Sequence, residues 1–313
     1  MPETVWINGT FLSRQDARVG AFDAGILHAV GIFETMTAAP IEGDEAATQG
    51  RVFRIERHIQ RLADSARALG LSESFKVRAM QELVEMVVER SELTAPSAGS
   101  GARARVRLTV TGGDLNMLSS PEKGPADPTI IVHVQPATRY PQEMFDRGVS
   151  VVIAHNKANP LNPFEGHKTL NYWWRLRELQ RAAAAGAGEA LVMQVTNHVC
   201  GGTVSNLFAI VDGTLLTPIA RDETDDESLP SPVLPGVTRQ AIIDAADDAR
   251  LGCARRLVTI NDVLDADELF LTNASWGVLP VVQVEGKAIG SGAPGSITLD
   301  LRRRWLDMLR GEA

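Results

Sequence analysis

Cysteine is nearly absent from this chain. Cys200 and Cys253 are its only thiols, which leaves no disulfide framework and no Cys-x-x-Cys zinc pattern. Long apolar runs are missing as well, and none approaches the ~20 residues needed to cross a bilayer. The opening residues, Met1-Pro2-Glu3-Thr4-Val5-Trp6, have neither the basic nor the apolar region of a signal peptide. These absences predict a reduced, cytoplasmic protein. Positive charge is also short: 31 bases stand against 39 acids for a net charge of −8, which argues against a nucleic-acid surface but leaves room for a local anion site. The histidines, at 28, 58, 133, 155, 167 and 198, form no His-x-x-x-His pair, so no metal site is expected. A Gly-x-Ser-x-Gly elbow is absent. Gly186-Ala187-Gly188 precedes a strand pattern instead of following one, so it fails as a dinucleotide turn. Ser120-Pro121-Glu122-Lys123 fits Ser-x-x-Lys only formally, in a loop without companion motifs.

What remains is an ordinary globular composition, 44% hydrophobic and 22% charged over 313 residues, enough for two domains with separate cores. Lysine is scarce, at 76, 123, 157, 168 and 287 only, in a chain rich in arginine. Lys168 follows the loop Asn162-Pro163-Phe164-Glu165-Gly166-His167 and precedes an apolar stripe of Leu170, Trp173/Trp174 and Leu176/Leu179. It is therefore expected to open a helix and face an interior cleft. Taken alone, a lysine so placed is a helix-capping surface residue. A lysine with amine chemistry must be neutral to attack an aldehyde, and a cleft provides for that.

Patterning predicts a hairpin over residues 5–12 about Asn8-Gly9, then strands at 31–37 and 51–54. Helices follow at 58–69 and 76–90, a polar break at 94–101, and strands at 104–111 and 129–134. Residues 135–147, with two prolines, read as a linker, which gives domains at 1–134 and 148–313. The second domain carries strands at 149–154, 190–195, 207–211, 215–216 and 268–272, and helices at 238–249 and 297–309. Residues 221–231 read as an exposed acidic loop. No internal repeat occurs, and the mixture of short strands and helices is an α+β pattern in two domains.

Several motifs stand in one order: Asp23-Ala24-Gly25, Gly31-Ile32-Phe33-Glu34-Thr35, His58-Ile59-Gln60-Arg61-Leu62, Gly166-His167-Lys168-Thr169-Leu170-Asn171-Tyr172, Gly202-Thr203-Val204-Ser205-Asn206-Leu207-Phe208 and Leu234-Pro235-Gly236-Val237-Thr238-Arg239. Together they resemble the pyridoxal-phosphate enzymes of fold type IV, the group of branched-chain aminotransferases, D-amino acid aminotransferases and aminodeoxychorismate lyases. The resemblance implies a small N-terminal domain, a larger cofactor-binding domain, a homodimer and pyridoxal 5'-phosphate. It implies that Lys168 holds the cofactor as a Schiff base and moves the substrate proton. Gly236, Val237 and Thr238 match one phosphate site and Asn273-Ala274-Ser275 a second, with Arg61 reaching the phosphate from the first domain. Leu234 matches the residue packed on the ring, and Tyr172 is a candidate partner for its phenolic oxygen. Phe33 and Gly112 match substrate-side positions.

Two departures bear on the reaction. Relatives place a glutamate for the pyridine nitrogen five residues before Asn206, where this chain has Gly201. Cys200, Thr203 and Glu189 are the nearest polar substitutes. The loop Thr111-Gly112-Gly113-Asp114-Leu115-Asn116-Met117 also lacks the arginine of D-amino acid aminotransferases and aminodeoxychorismate lyases, whereas Asn273-Ala274 resembles the lyase version of its turn. The resemblance implies an aminotransferase acting on an amino donor and a 2-oxo acid. The alternatives are a 4-amino-4-deoxychorismate lyase, whose aromatic product supplies driving force, and a non-catalytic paralogue.

Overall fold

The computed structural model describes residues 4–40, 50–73, 75–95, 101–114, 128–224 and 229–311. Leu115–Met117 and the Ser120–Lys123 sequence lie outside the described residues. The chain divides into two compact units. The first takes residues 1–138, 167–171 and 309–312, and the second takes 139–166 and 172–308.

The first unit is an antiparallel sheet backed by helices. Its elements are β1 (Thr4–Ile7), β2 (Thr10–Ser13), α1 (Ala24–His28), β3 (Gly31–Ala39), β4 (Arg51–Val52), α2 (Ile55–Ala68), α3 (Val77–Ser91), β5 (Ala104–Thr111) and β6 (Ile130–Pro136). The strand order is β2-β1-β6-β5-β3-β4. Asn8 and Gly9 both take positive φ in the turn between β1 and β2, as a tight hairpin requires. The expected strand at 51–54 stops at Val52, because Arg54 adopts a left-handed conformation to start α2. Period-two alternation aims Ile32, Met36 and Ala38 of β3, Val106 and Leu108 of β5 and Val132 and Val134 of β6 into one core. Ile59, Leu62 and Ala66 of α2 and Val84, Val87 and Val88 of α3 close it.

Glu34 occupies one of the inward positions of β3, opposite Leu108, and is 1% exposed. Its carboxylate accepts from Arg61 Nε at 2.8 Å, Arg61 Nη2 at 2.7 Å and His58 Nδ1 at 2.8 Å, fastening α2 to the strand. A second buried acid, Asp23, accepts from the Gly25 amide at 2.7 Å, where it caps α1. It also accepts from the Thr111 and Thr129 hydroxyls at 2.7 and 2.6 Å.

Residues 168–170 belong to this unit rather than to a helix. Phe33 N donates to Lys168 O, Leu170 N donates to Gly31 O, both at 2.9 Å, and Thr169 bridges Ile32. β4 pairs only with Ala38 and Ala39, so the rest of that β3 edge needs partners, and this segment supplies them. The expectation that Lys168 opens a helix is thereby corrected: the helix begins at Trp173.

The second unit carries α4 (Glu143–Asp146), β7 (Val149–Ala158), α5 (Trp173–Ala184), β8 (Glu189–Gln194), β9 (His198–Gly202), β10 (Asn206–Val211), β11 (Thr214–Pro218), α6 (Val237–Asp248), β12 (Cys253–Arg256), β13 (Val258–Thr259), α7 (Ile260–Leu264), β14 (Glu268–Asn273), β15 (Gly277–Val284), β16 (Lys287–Ala288) and α8 (Ser296–Arg310). Its sheet is mixed, in the order β12-β11-β10-β14-β15-β7-β8-β9-β13, with β16 beside β15. Leu191, Leu207, Leu271 and Leu279 sit in its main core.

Four sequence expectations change here. β15 is a central strand in spite of Pro280, whose pairing with β7 begins only at Val281. The expected α5 stripe is inverted: Glu178 and Ala182 are buried, while Trp173 is 81% and Leu176 48% exposed. Trp174 packs inward with Ala182, and Trp173 and Leu176 fall on another face of the helix. Within 221–231, Arg221–Glu223 form a 3-10 turn and Ser231 is buried; residues 225–228 lie outside the described residues. Residues 135–147, expected as the interdomain linker, include the division between the units at 138/139 and also carry regular structure, since Gln135 and Pro136 finish β6 and α4 buries Phe145. Among the described residues no helix is long and apolar enough to cross a membrane.

Burial alone would raise the Glu34 carboxyl, but the Arg61 charge and the His58 hydrogen bond bring it down to about 2. A depressed carboxyl stabilises the fold above its unfolded value of 4.5, and that contribution disappears as pH falls toward about 2. The parent should therefore lose stability on acidification more steeply than Glu34→Gln, by on the order of 3 kcal/mol in total. Denaturant unfolding of both proteins at several pH values between neutrality and pH ~3 checks this. Parallel pH profiles would contradict it.

Candidate active site

In the first unit the reactive groups gather around the edge of β3. The pairing with Gly31 and Phe33 fixes the Lys168 backbone, and its Nζ lies 4.8 Å from the centre of the Phe33 ring. Arg107 of β5 stands 3.8 Å from that ring centre, and its Nε donates to Thr109 Oγ1 at 3.3 Å. Phe33 is thus a buried ring with two basic side chains close to it. Burial holds His58 below the ordinary imidazole range, and the Arg61 and Lys168 charges push the same way. A neutral His58 donates from Nδ1 to Glu34, which fixes its tautomer. His167 Nδ1 lies 2.9 Å from Ser65 Oγ, which holds the residue before Lys168 against α2. Gly112 is buried, with its amide donating to Val30 O at 3.0 Å and Val30 and Ala24 packed over its Cα.

In the second unit three loops converge at one end of β10 and β14, where Asn206 pairs with Thr272. Asn206 Nδ2 donates to Leu234 O at 2.9 Å, and Asn273 Nδ2 donates to Val204 O at 3.3 Å. Two asparagines therefore tie the Val204 turn, the Leu234 loop and the 273–275 turn together. α6 starts at Val237, one residue earlier than expected, and Gly236 offers no side chain to cap it. Its first amides point out of the helix end with the positive end of the dipole behind them, a ready anion site. Val237 and Thr238 are buried there. At the second turn, Asn273 Oδ1 accepts from the Ser275 and Trp276 amides at 2.9 and 3.1 Å. Those two bonds hold the turn that carries Ala274 and the Ser275 hydroxyl in shape. Tyr172 is the residue before α5, with the Arg175 guanidinium 6.0 Å from its ring centre.

The turn at Gly201 has its own chemistry. Gly201 takes φ +143°, and a Cβ built there would meet Ser205 O at 2.7 Å. None of the three substitutes offers a carboxylate in place of the glutamate. Glu189 is fully buried, which raises its carboxyl, and it accepts from Thr203 Oγ1 at 2.5 Å, Ala190 N at 2.9 Å, Ser205 Oγ at 3.2 Å and Val204 N at 3.3 Å. Its oxygens are directed into the 203–205 turn. The Thr203 hydroxyl is committed to Glu189, and burial pushes the Cys200 thiol up to about 12. A cation reaches the same turn: Arg175 Nη1 donates to Thr203 O at 3.3 Å while Nη2 is held by Glu165 at 2.6 Å.

Sequence reasoning placed Glu34 and His58 within motifs without giving them a task, and it passed over Glu165 and Arg175. A signal existed for Glu34, since a charged residue at an inward strand position between Ile32 and Met36 demands a buried partner. None existed for the Glu165–Arg175 pair, which the turns of the chain bring together. No group of three metal-ligating side chains occurs among the described residues.

Within the first unit a lysine stands on the β3 edge beside a half-buried, ion-paired arginine, and within the second an uncapped helix start can receive an anion. The model of the family "Amino-transferase class IV" matches residues 31–284. A branched-chain-amino-acid aminotransferase of Salmonella typhimurium (strain LT2) is 26% identical, covering 98% of this chain and 93% of its own. The crystal structure of Escherichia coli branched-chain amino acid aminotransferase superposes with a TM-score of 0.86 at 25% identity, over 100% of this chain and 96% of that one. That of the T.th. branched-chain enzyme with pyridoxamine 5'-phosphate gives 0.85 at 23% identity, over 100% and 96%. These similarities favour transamination over the lyase and non-catalytic alternatives. With its family match running from β3 through β15, the chain belongs to the class IV aminotransferases, pyridoxal-phosphate-dependent enzymes of fold type IV.

Proposed function

We propose that this protein transfers an amino group between an amino acid and a 2-oxo acid, with pyridoxal 5'-phosphate joined to Lys168 Nζ. The observation that carries the reading is the placement of Lys168, whose backbone is held on β3 beside Phe33 and whose charge, like that of Arg61, acts on His58. The donor to test first is a branched-chain amino acid, the substrate class in the names of the Salmonella and E. coli relatives. A panel of amino donors, read as 2-oxo acid formed, tests that choice.

Pyridoxal phosphate supplies an aldehyde for the covalent link and an electron-withdrawing ring for the carbon that loses its proton. The chain's residues do the rest. In the second unit the amides of Gly236 and Val237, the Thr238 hydroxyl and the 273–275 turn would hold the phosphate, which carries about two negative charges, and in the first unit Arg61 is its charged partner by resemblance to the family. Leu234 would pack on the ring and Tyr172 would meet its phenolic oxygen. Lys168 Nζ takes the substrate proton and returns it, which needs the neutral amine. Gly201, which the family resemblance puts at the nitrogen end of the ring, would bring no carboxylate there, so the bound ring would withdraw electrons less strongly than in relatives that hold an acid at that position. Phe33 and Gly112 line the substrate side.

The same reading includes a cytoplasmic homodimer. Its support is the exposed apolar surface of each unit: Phe22, Ile26 and Leu27 in the first, and Leu161, Phe164, Trp173 and Leu176 in the second. Apolar groups of that size in open solvent call for a cover.

Two outcomes are expected. Lys168→Ala should fold normally and lose the covalent link, so that borohydride reduction followed by peptide mass analysis finds no cofactor adduct; an undiminished adduct on another lysine would remove the central claim. Gly201→Glu should not restore a ring partner. Its Cβ meets a backbone carbonyl and its φ lies where side chains are strained, so stability should fall by about 1–3 kcal/mol with no gain in transamination. Urea unfolding alongside single-turnover kinetics would expose the opposite result, a stable and faster variant.

A further inference from the structure

Glu34, His58 and Arg61 form a cluster whose cost is hard to justify by packing alone. The surrounding core of Ile32, Met36, Ile59 and Leu62 already joins β3 to α2. An ionised carboxylate among those residues must give up its hydration, and apolar side chains of similar size often stabilise a core as well or better. What a buried carboxylate provides, and an apolar residue does not, is direction. Glu34 Oε1 and Oε2 receive Arg61 Nε and Nη2, at 2.8 and 2.7 Å. That bidentate contact fixes the plane of the guanidinium and turns its Nη1 edge away from the carboxylate. His58 Nδ1, one helical turn earlier on α2, closes on the same oxygen as Nη2 and keeps the carboxylate from rotating.

The anchor of this clamp is also the anchor of the reactive amine. Glu34 follows Phe33, whose amide donates to Lys168 O and whose ring lies under Lys168 Nζ. One stretch of β3 therefore sets both the lysine backbone and the arginine plane. We propose that Glu34 is a positioning residue for cofactor binding: it holds the Arg61 guanidinium in the orientation, relative to Lys168, at which a phosphate monoester and an aldehyde on one small molecule are met together. The inference rests on the proposed roles of Arg61 and Lys168. It goes beyond them in giving a purpose to a carboxylate that touches neither substrate nor cofactor.

The test uses the whole protein stripped of cofactor and titrated separately with pyridoxal 5'-phosphate and with pyridoxal, which has the aldehyde but no phosphate. The quantity read is the preference for the phosphorylated ligand. The parent should show a large preference and a covalent adduct on Lys168 with both ligands. Arg61→Ala should reduce the preference, and Glu34→Gln should reduce it by roughly tenfold to a hundredfold while pyridoxal affinity holds. Adding Glu34→Gln to Arg61→Ala should change nothing further, because Glu34 acts through the arginine. A Glu34→Gln protein that keeps the preference, or that weakens both ligands equally, overturns the proposal and leaves Glu34 a packing residue. If instead Arg61→Ala keeps the preference, the phosphate reading of Arg61 fails first, and absence of a Lys168 adduct in the parent would mark failure of the lysine reading. Should Glu34→Gln not fold, Glu34→Asp takes its place: the carboxylate remains but stands one methylene short, and an unchanged preference would again overturn the proposal.

Discussion

A strand edge with unpaired amides and carbonyls is the constraint around which the first unit is organised. β3 is central along one side, where β5 pairs with it from Gly31 to Ala38, but on the other side β4 covers only its last two residues. The uncovered length must be satisfied, and residues 168–170 do so from a distant part of the chain. The backbone of Lys168 is therefore fixed by hydrogen bonds at Phe33 and Gly31, and only the side chain keeps freedom to move. That division suits an amine that must shuttle a proton from a fixed base.

The second unit solves a different problem, which is to hold three loops still without a rigid element beneath each. Asparagine side chains do this, because one amide can both donate and accept. Asn273 accepts from two amides of its own turn and donates to the Val204 carbonyl, while Asn206 reaches the Leu234 carbonyl. Near Gly201 an acid and a base meet the same turn. Glu189 is directed into the turn, and Arg175 approaches it from the other side under the control of Glu165. The backbone there leaves no space for a side chain, so glycine at this position is a matter of geometry as well as of chemistry.

Much of this was legible in the sequence. The alternation of β3, β5 and β6 and the helical spacing of α2, α3, α6 and α8 are strong periodic signals, and the motif order led to the family. The misses have local causes. Pro280 hid β15, since proline is a poor guest in a central strand and nothing in the sequence says that its neighbour strand starts one residue later. The stripe read into α5 followed the largest apolar residues, whereas the buried face is defined by Ala182 and the ion-paired Glu178. Lys168 was assigned to a helix because apolar residues follow it, and only the three-dimensional need of the β3 edge draws it into an extended conformation. Pairings such as Glu165 with Arg175 leave no periodic trace at all.

Asp23 has a consequence for how this enzyme can vary. It holds the hydroxyls of Thr111 and Thr129, the residues that bound the connection between β5 and β6, on a single oxygen. The two ends of that connection are therefore brought together on one carboxylate oxygen of Asp23. Once the ends of a loop are fixed, lengthening it costs only a slowly growing entropy of closure, roughly 0.6 kcal/mol for each doubling. Changes in the length of this connection beyond Gly113, whose carbonyl is held by the Ala24 amide, should reach the sheet only weakly. Gly112, proposed above to line the substrate side, opens that same connection. On that proposed role, the fold concentrates its tolerance for change where a shift in substrate would begin, and selection can alter what the enzyme accepts with little effect on the strands that hold its lysine.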